Sequence, residues 1–164
     1  MIGKSVTVGP LAADEAERLA ETMRLVICDL TVYNDRARTY ELDTYTASHL
    51  RDCVAQDPDF VLIAREGSDI VGFVIAHDDL GTLSLDWVGV VESVRGWGVS
   101  QKLLDELAMR ARSLGYRKIW CDCRTDNAAS RRALNKAGYV EICTLREHWF
   151  GQDYLLLETW LATA

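Results

Sequence analysis

Residues 83–107 read LSLDWVGVVESVRGWGVSQKLLDEL and carry the strongest local pattern in this chain. The first part, residues 83–91, is rich in residues that favour a β-strand, and a helical pattern begins at Val99. Two closely spaced glycines stand between them in the segment RGWG, residues 95–98. A glycine loop between a strand and a helix leaves backbone N–H groups free at the helix start, where the helix dipole also favours an anion. We therefore expect a phosphate-bearing cofactor on residues 95–101.

The glycine spacing does not match two common nucleotide-binding loops. A P-loop requires G-x-x-x-x-G-K-[ST], which the chain does not contain. A dinucleotide-binding fingerprint requires a third glycine, but Gln101 stands at that position. Residues 95–100, RGWGVS, instead resemble the acyl-CoA loop of the GNAT-type N-acetyltransferases, (Gln/Arg)-x-x-Gly-x-(Gly/Ala). Ser100 departs from that motif, but its side chain is small enough to let a phosphate approach the backbone.

Two further motifs follow downstream, in the order that this family shows. Residues 127–130, NAAS, and 136–139, KAGY, resemble the N-x-x-(A/S) and K-x-G-(F/Y) motifs of the family. In that family the asparagine contacts CoA, and the glycine closes the helix before the next strand. The resemblance covers the chain from Ile70 to its C-terminus, whereas the residues before it match only loosely.

The resemblance implies that the chain uses acetyl-CoA as its cosubstrate. In the GNAT fold the strand before the glycine loop and the strand after the long helix splay apart, and the pantetheine arm enters between them. Backbone groups of the first strand would hold the arm, while the loop, the helix start and the downstream asparagine would hold the rest of CoA. The cofactor-binding residues predicted in this way are Val88, Gly89, Val90, Arg95, Gly96, Trp97, Gly98, Val99, Ser100, Gln101 and Asn127.

Each of these assignments has a purely structural alternative. Residues 88–90 also fit an ordinary sheet strand whose backbone groups are all paired. Arg95 also fits an exposed surface position, and Asn127 fits a helix N-cap. Trp97 would either cover the adenine or shield the loop.

Acetylation of an amine requires a base, because a lysine-like ammonium has a pKa of about 10.4. Asp122 is the first candidate, since the bacterial ribosomal-protein alanine acetyltransferases have a glutamate at the matching place, five residues before Asn127. Asp86, on the strand before the loop, is the second candidate. The alternative for both is a carboxylate at a strand edge, or one that orients the substrate amine.

The sequence does not supply the acid that many family members use. They have a tyrosine seven residues after the CoA-contacting asparagine, which protonates the departing CoA thiolate, and Leu134 stands at that position here. Tyr154 and His148 on the last hairpin, or water, are the remaining candidates. Tyr139 stands at the aromatic packing position of the family and fits the core.

The hydrophobic pattern predicts a mixed α/β fold. We predict strands at residues 5–9, 60–65, 70–76, 82–91, 118–124, 139–146 and 153–161. We predict helices at residues 12–27, 45–56 and 99–114, and a fourth between a cap at Asp126 or Asn127 and an end at Gly138. Residues 29–43 are expected to be irregular and residues 77–81 to form a turn. The resemblance adds that the sheet is central, largely antiparallel and splayed at the CoA site.

Length and composition are those of one globular domain, so residues 1–164 are expected to form a single domain. The net charge of −7 disfavours a nucleic-acid partner, which would need a basic face. We expect no membrane span and a cytoplasmic location, because no apolar run is long enough and the N-terminus lacks a signal-peptide core. The five cysteines and three histidines show no zinc-site spacing, so no metal is expected. The sequence leaves a homodimer open.

The leading hypothesis is an N-acetyltransferase that moves an acetyl group from acetyl-CoA to a primary amine of a small molecule, protein or peptide. The amine would attack the thioester directly in a ternary complex. Acceptor choice is expected to lie with residues 28–45 and 147–153, the segments least like the family. One alternative is a CoA-binding module or sensor without catalysis, which Leu134 favours. Another is a phosphate-binding α/β domain unrelated to CoA.

Overall fold

The chain folds into seven strands and five helices across residues 5–161, the part that the computed structural model describes. The strands are β1 (Val6–Pro10), β2 (Val61–Glu66), β3 (Asp69–Asp79), β4 (Thr82–Val90), β5 (Lys118–Arg124), β6 (Val140–Leu145) and β7 (Tyr154–Trp160). The helices are α1 (Ala16–Asp29), α2 (Asp35–Thr44), α3 (Ala47–Gln56), α4 (Val99–Ser113) and α5 (Ala128–Lys136). Short 3-10 turns occupy Ala13–Glu15, Glu92–Val94 and Trp149–Gly151. None of the helices within the described residues is long and apolar enough to cross a membrane.

The strands form one sheet in the order β1-β2-β3-β4-β5-β7-β6. Neighbouring strands are antiparallel except β4 and β5, which are parallel because α4 connects them as a crossover. The predicted mixed α/β fold with a largely antiparallel central sheet is therefore confirmed.

The sheet opens between β4 and β5. These strands pair in register at Leu83 with Ile119 and at Ser84 with Trp120. Both strands then continue, β4 to Val90 and β5 to Arg124, without further pairing to each other among the described residues. The predicted splay is confirmed, and it creates a gap in the middle of an otherwise continuous sheet.

The sheet separates two hydrophobic cores. Leu103 and Leu107 of α4 pack in one core, and Leu19 of α1 with Leu50 of α3 packs in the other. Strand β3 contributes to both because its side chains alternate, with Val74 in the α4 core and its neighbours in the other. This explains why the sequence of β3 is apolar almost throughout.

Strand β4 contains a β-bulge at the centre of the sheet. Its register with β3 shifts so that Ile75 faces Trp87 and Ala76 faces Leu85, which leaves Asp86 as the extra residue. A bulge re-aims the side chain of the extra residue and is often found next to an active site. Here it lies two residues beyond the last β4–β5 pair, at the mouth of the gap.

The prediction that residues 29–43 are irregular is wrong, because α2 occupies most of this segment. The helix has a single buried residue, Ala37, so it lacks the apolar stripe from which helices are recognised in sequence. Local and tertiary bonds stabilise it instead. The Asn34 side chain caps it by accepting from the Ala37 N–H at 2.9 Å, and Arg38 donates to the carbonyls of Leu30 (2.9 Å) and Tyr33 (3.2 Å).

The predicted turn at residues 77–81 is also wrong in extent. Strand β3 runs on to Asp79, and the chain reverses at Leu80 and Gly81, which have φ angles of 53° and 91°. The polar side chains of residues 77–79 suggested a loop, but they lie on a strand whose end is exposed. The extension places His77 opposite Ser84 of β4.

Gly89 tests the packing of β4 against β3. A Cβ atom at this position would lie 2.3 Å from Cζ of Phe73, whose side chain is fully buried. We expect Gly89→Ala to lower the free energy of unfolding by about 1–3 kcal/mol, the usual cost of overpacking a core. Urea denaturation measures this change.

Gly9→Ala is the matched control, because a Cβ there would meet only the end of Arg65 at 3.8 Å, an ordinary contact. Its free energy of unfolding should stay the same or rise by a few tenths of a kcal/mol, because alanine lowers the conformational entropy of the unfolded chain. Equal stability of the two variants would contradict the described packing of Phe73 on Gly89.

Candidate active site

A cavity of about 770 Å³ occupies the gap between β4 and β5. Its walls come from β4, the glycine loop, the start of α4, β5, the first turns of α5, and the segment between α1 and α2. We call the part around Gly96, Gly98 and Gln101 the glycine-loop end. The part around Asp86 and Asp122 is the carboxylate end.

The glycine loop presents the N-terminus of α4 to the cavity. Gly96 and Gly98 have φ angles of 84° and 79°, which side-chain-bearing residues rarely adopt, and Gly98 is the N-cap of the helix. The first helical hydrogen bond runs from the Lys102 N–H to the Gly98 carbonyl at 3.1 Å. The N–H groups of residues 99–101 therefore have no partner within the helix, and all three residues line the cavity. This geometry suits a phosphate.

Basic side chains line the same cavity. Arg95 lines the cavity and is bonded to Asp29 at 2.6 Å, with both side chains about half exposed. Such a surface pair is weak, so a phosphate could replace Asp29 as the partner of Arg95. Arg132 and Lys136 of α5 also line the cavity and were not predicted. Their spacing of four residues on the helix that Asn127 begins puts them on one face, which is the signal that could have revealed them.

Two predicted cofactor contacts have structural roles of their own. The Asn127 side chain accepts a hydrogen bond from the Ser130 N–H at 3.1 Å and caps α5, while the residue also lines the cavity. Both alternatives for Asn127 therefore hold at the level of position. Trp97 is half exposed and does not line the cavity, so any ligand atom that it contacts would lie outside the cavity.

Residues 88–90 form the β4 wall of the cavity. One edge of β4 pairs with β3, where Gly89 faces Phe73. The other edge faces the gap and has no strand partner beyond Ser84 among the described residues. Its backbone groups are thus available to a ligand that lies along the strand.

Asp122 lies at the carboxylate end on β5. The flanking residues Cys121 and Cys123 are buried in the α4 core, because side chains alternate between the two faces of a strand. Burial raises the pKa of Asp122 above its ordinary value, although a hydrogen bond from the Trp149 side chain and the nearby His148 oppose this effect.

Asp86 lies at the same end on the β4 bulge. Its Oδ2 atom is 2.7 Å from Nδ1 of His77, and its Oδ1 atom accepts from the Ser84 hydroxyl at 3.0 Å. Burial raises the pKa of Asp86, and the bonds to His77 and Ser84 act in the opposite direction. The structure thus brings both predicted catalytic carboxylates to one end of one cavity.

Two side chains near this end were missed in the sequence. Tyr33 lines the cavity, and its ring contacts that of Trp87 edge-on with 6.0 Å between centroids. Glu41 of α2 accepts a hydrogen bond from Trp87 Nε1 at 3.1 Å. Burial raises the pKa of both Tyr33 and Glu41. Both lie in the segment expected to choose the acceptor, but nothing in its pattern marked these two residues.

Arg124 closes the carboxylate end. Its buried guanidinium donates to the Val32 carbonyl (3.1 Å), the Asp153 carbonyl (2.8 Å) and an Asp126 carboxylate oxygen (3.0 Å). It thereby joins the α1–α2 segment, the start of β7 and the start of α5. The β6–β7 turn meets the α1–α2 segment directly as well, because Asn34 Nδ2 donates to the carbonyl of the turn residue Phe150 at 3.1 Å.

Leu134, at the position of the expected tyrosine, is 2% exposed and forms part of the cavity wall. Tyr139 is buried in the α4 core, as its aromatic packing position implied. Tyr154 and His148 do not line the cavity. Tyr33 is the only tyrosine in the described part of the chain that does.

No group of three or more histidine, cysteine, aspartate or glutamate side chains within residues 5–161 is arranged to hold a metal ion.

Comparisons with solved structures find the same fold in many acetyltransferases. PaiA N-acetyltransferase from Thermoplasma acidophilum, solved with coenzyme A, superimposes with a TM-score of 0.81 at 16% identity and covers 95% of this chain and 99% of its own. YncA from Salmonella typhimurium, solved with acetyl-CoA, gives 0.73 at 20% identity, with 97% and 95% covered. The ribosomal-protein-S18-alanine N-acetyltransferase of Escherichia coli gives 0.72 at 16% identity, with 98% and 96% covered. At these identities the likeness shows the fold.

The sequence itself matches no curated protein. It does match the family model described as the acetyltransferase (GNAT) family over residues 12–139. That match includes the glycine loop, both carboxylates of the cavity and the asparagine at the start of α5. Because it spans most of the chain, this protein belongs to the GNAT family of acetyltransferases.

Proposed function

We propose that the protein transfers the acetyl group of acetyl-CoA to a primary amine inside the cavity between β4 and β5. Family membership supplies acetyl-CoA as the cosubstrate and N-acetyl transfer as the reaction. One observation carries the proposal for this site: a single cavity joins the free N-terminus of α4 to the carboxylates of Asp86 and Asp122. An anion-binding end and a proton-accepting end are the two functions that this reaction needs.

The cofactor lies along β4 in this proposal. Its pyrophosphate binds the N–H groups of residues 99–101, with Arg132 and Lys136 adding charge-assisted bonds. The pantetheine arm forms hydrogen bonds with the free backbone edge of residues 88–90. It thereby takes the place of β5, which has diverged from β4 at this point. A backbone N–H near Val90 polarises the thioester carbonyl.

The acceptor binds at the carboxylate end. An amine arrives mainly as an ammonium ion, and Asp86, Asp122 and the nearby Glu41 give this end a negative potential that attracts it. Tyr33 and Trp87 add ring surfaces beside the same end. Cations bind favourably against aromatic faces, so both features favour a cationic amine over a neutral acceptor such as an alcohol.

The carboxylates accept the proton that the ammonium loses. An aspartate with an ordinary pKa of about 3.9 is a poor base for this purpose. Burial raises the pKa of both Asp122 and Asp86, which makes each a better proton acceptor, directly or through a water molecule. The neutral amine then attacks the acetyl carbonyl in the ternary complex, where positioning supplies much of the rate.

Tyr33 is the group proposed to stabilise the departing thiolate. It lines the cavity, whereas the family's tyrosine position holds Leu134. Burial raises the pKa of Tyr33, so the hydroxyl keeps its proton at neutral pH and can donate a hydrogen bond to sulfur.

A thiol-release assay with acetyl-CoA and a panel of amines tests the proposal. The panel contains alkylamines, diamines, and peptides with a free N-terminus or a free lysine side chain. Thiol release that depends on at least one primary amine, with the acetylated product identified by mass spectrometry, is the expected outcome. Failure of every amine in the panel would overturn the proposed reaction at this site.

Gly98→Glu tests the glycine-loop end. Wild-type protein should melt at a higher temperature with CoA, because binding to the folded state at about 100 times Kd stabilises it by about 2.7 kcal/mol. The variant should lose this shift, since a carboxylate at the start of α4 repels the pyrophosphate. Thermal denaturation with and without CoA measures the difference.

Gly115→Glu is a matched control for this experiment. Gly115 follows the C-terminal end of α4, has a φ angle of 86°, and has open space around its missing Cβ, as Gly98 does. The control therefore has the same added charge and similar backbone strain away from the cavity, and it should keep the CoA shift. An unchanged shift in Gly98→Glu would remove the loop from the site.

Asp122→Asn tests the base. We expect kcat/KM at neutral pH to fall about a hundredfold or more, the usual loss for a general base, with CoA affinity unchanged. Part of the activity should return at high pH, where more of the amine is already neutral. In the wild type, activity should fall on the acid side at a higher pH than for an ordinary aspartate, because only the deprotonated carboxylate accepts a proton and its pKa is raised.

Asp86→Asn is measured beside it, and Asp52→Asn, on the exposed surface of α3, is the control that should keep full activity. If Asp86→Asn loses activity while Asp122→Asn keeps it, Asp86 is the base. If both remain active at neutral pH, solvent deprotonates the amine and neither carboxylate has the proposed role.

Tyr33→Phe tests the thiolate partner. It removes only the hydroxyl, so we expect kcat to fall roughly tenfold to a hundredfold while CoA affinity and melting temperature stay the same. Leu134→Tyr in the Tyr33→Phe background returns a hydroxyl to the cavity wall at the family's position and should recover part of kcat. Steady-state kinetics measures both, and full activity of Tyr33→Phe would exclude the proposed role.

A further inference from the structure

Asp86 is connected to solvent through a histidine. The His77 ring lies on β3 beside the β4 bulge, with its Nδ1 atom 2.7 Å from the Asp86 Oδ2 atom. The Asp86 side chain is 26% exposed and lines the cavity, whereas the His77 side chain is 47% exposed. The pair therefore spans from the wall of the cavity to the exposed end of β3.

No histidine is hydrogen-bonded to Asp122 in the described part of the chain. His148 lies near enough to affect its charge, and the Trp149 side chain, which can only donate, also acts on it. An imidazole can accept a proton at one nitrogen and release one from the other. Of the two carboxylates at this end, Asp86 is thus the one whose bonded partner can pass a proton onward.

Asp86 lines the cavity and is bonded on its other side to the exposed ring of His77. Each turnover at this end releases one proton from the acceptor nitrogen. A proton left on Asp86 would disable it for the next cycle, so it must pass on to solvent.

We propose that His77 positions Asp86 and conducts the acceptor's proton from it to solvent, an inference that rests on the proposed function. The amine N–H bond breaks and an O–H bond forms on Asp86, directly or through water. At rest, neutral His77 donates its Nδ1–H to the carboxylate. Once Asp86 is protonated, solvent exchange moves the ring proton to Nε2, Asp86 transfers its proton to Nδ1, and the Nε2–H proton leaves to bulk water, which restores the resting tautomer. One proton leaves per acetyl transfer and no electron moves.

Other groups face Asp86 and set the charge around it. The titrating neighbours are His77 on β3, His49 and Cys53 on α3, Tyr45 before α3, Glu41 on α2 and Asp122 on β5, and the Ser84 hydroxyl bonds to it. His49 is the second histidine near Asp86, but it is not bonded to Asp86. Its Nε2 atom lies 3.5 Å from Cys53 Sγ, and its ring packs edge-on against the ring of Tyr45. His49 therefore serves as a matched control.

Three variants separate proton conduction from structure. His77→Asn keeps an N–H donor near Asp86 but cannot conduct a proton, and His77→Ala removes both functions. His49→Ala is the control. With the best amine of the panel, we expect kcat/KM at neutral pH to fall about tenfold or more in both His77 variants and to change less than threefold in His49→Ala. CoA-induced thermal shifts should be equal in all four proteins.

Recovery of activity with added imidazole separates proton conduction from a purely structural role, because imidazole would not repair a structural defect. The exposed His77 site is open to solvent, so imidazole should restore His77→Ala toward the wild-type rate in proportion to the fraction of free base as pH changes. It should not restore Asp86→Asn. Activity of His77→Asn within threefold of the wild type from pH 6 to pH 9 would overturn the proposal. A loss in His77→Ala that imidazole does not restore would overturn it too.

Failure of the proposed function gives a different result. Wild-type protein that acetylates no amine in the panel would overturn the reaction and the proton route together. Wild-type activity with unaffected His77 variants would overturn the route alone.

Discussion

The parallel pairing of β4 and β5 stops after two residue pairs, and the site depends on this early separation. Backbone groups buried without partners cost free energy, so a gap inside a sheet is unfavourable unless something else satisfies it. The bulge at Asp86 turns β4 at the mouth of the gap, and α4 starts beyond its far end. A ligand that lies along the strand can pair with the free edge. The same divergence that weakens the sheet therefore creates a cavity with an unpaired strand edge along one wall.

Arg124 ties the end of β5 to the segments beside the gap. Burial of a guanidinium is costly unless its donors are satisfied, and Arg124 donates to two backbone carbonyls and one carboxylate from three different segments. These bonds link β5 to the α1–α2 segment and to the start of β7. Arg124 is the last residue of β5, so the strand ends where this cluster begins. Removal of the arginine would free the elements that shape the acceptor side of the cavity.

The two ends of the cavity differ in charge, which suits a reaction between an anionic cofactor and a cationic acceptor. The glycine-loop end has a helix N-terminus, and Arg132 and Lys136 line the same cavity, while the carboxylate end has Asp86 and Asp122. The two carboxylates are not equivalent. Asp86 is bonded to an exposed imidazole, whereas no histidine bonds to Asp122 in the described part of the chain. In the proposed proton route, this difference decides which carboxylate can pass a proton to solvent.

Sequence reasoning identified the elements that local pattern controls. Glycine positions, strand alternation and the stripe of α4 are properties of neighbouring residues, so the glycine loop, β5 and α4 were predicted within a residue or two. The resemblance also predicted Asp122, five residues before Asn127, and Asp86 was predicted on the strand before the loop; both line the cavity. The short helix α2 was missed, since long-range bonds and a cap stabilise it without an apolar stripe.

By itself, the sequence determined the fold class, the family and the glycine loop at the start of α4. Only the tertiary structure decided which side chains share the acceptor end. Tyr33, Glu41 and Arg124 come from segments far apart in the chain, and His77 reaches Asp86 because β3 extends past its predicted end. Contacts of this kind depend on strand register and on how segments dock across the gap. Neither produces a periodic pattern in the sequence, because these polar residues are isolated in the chain and contact residues many positions away.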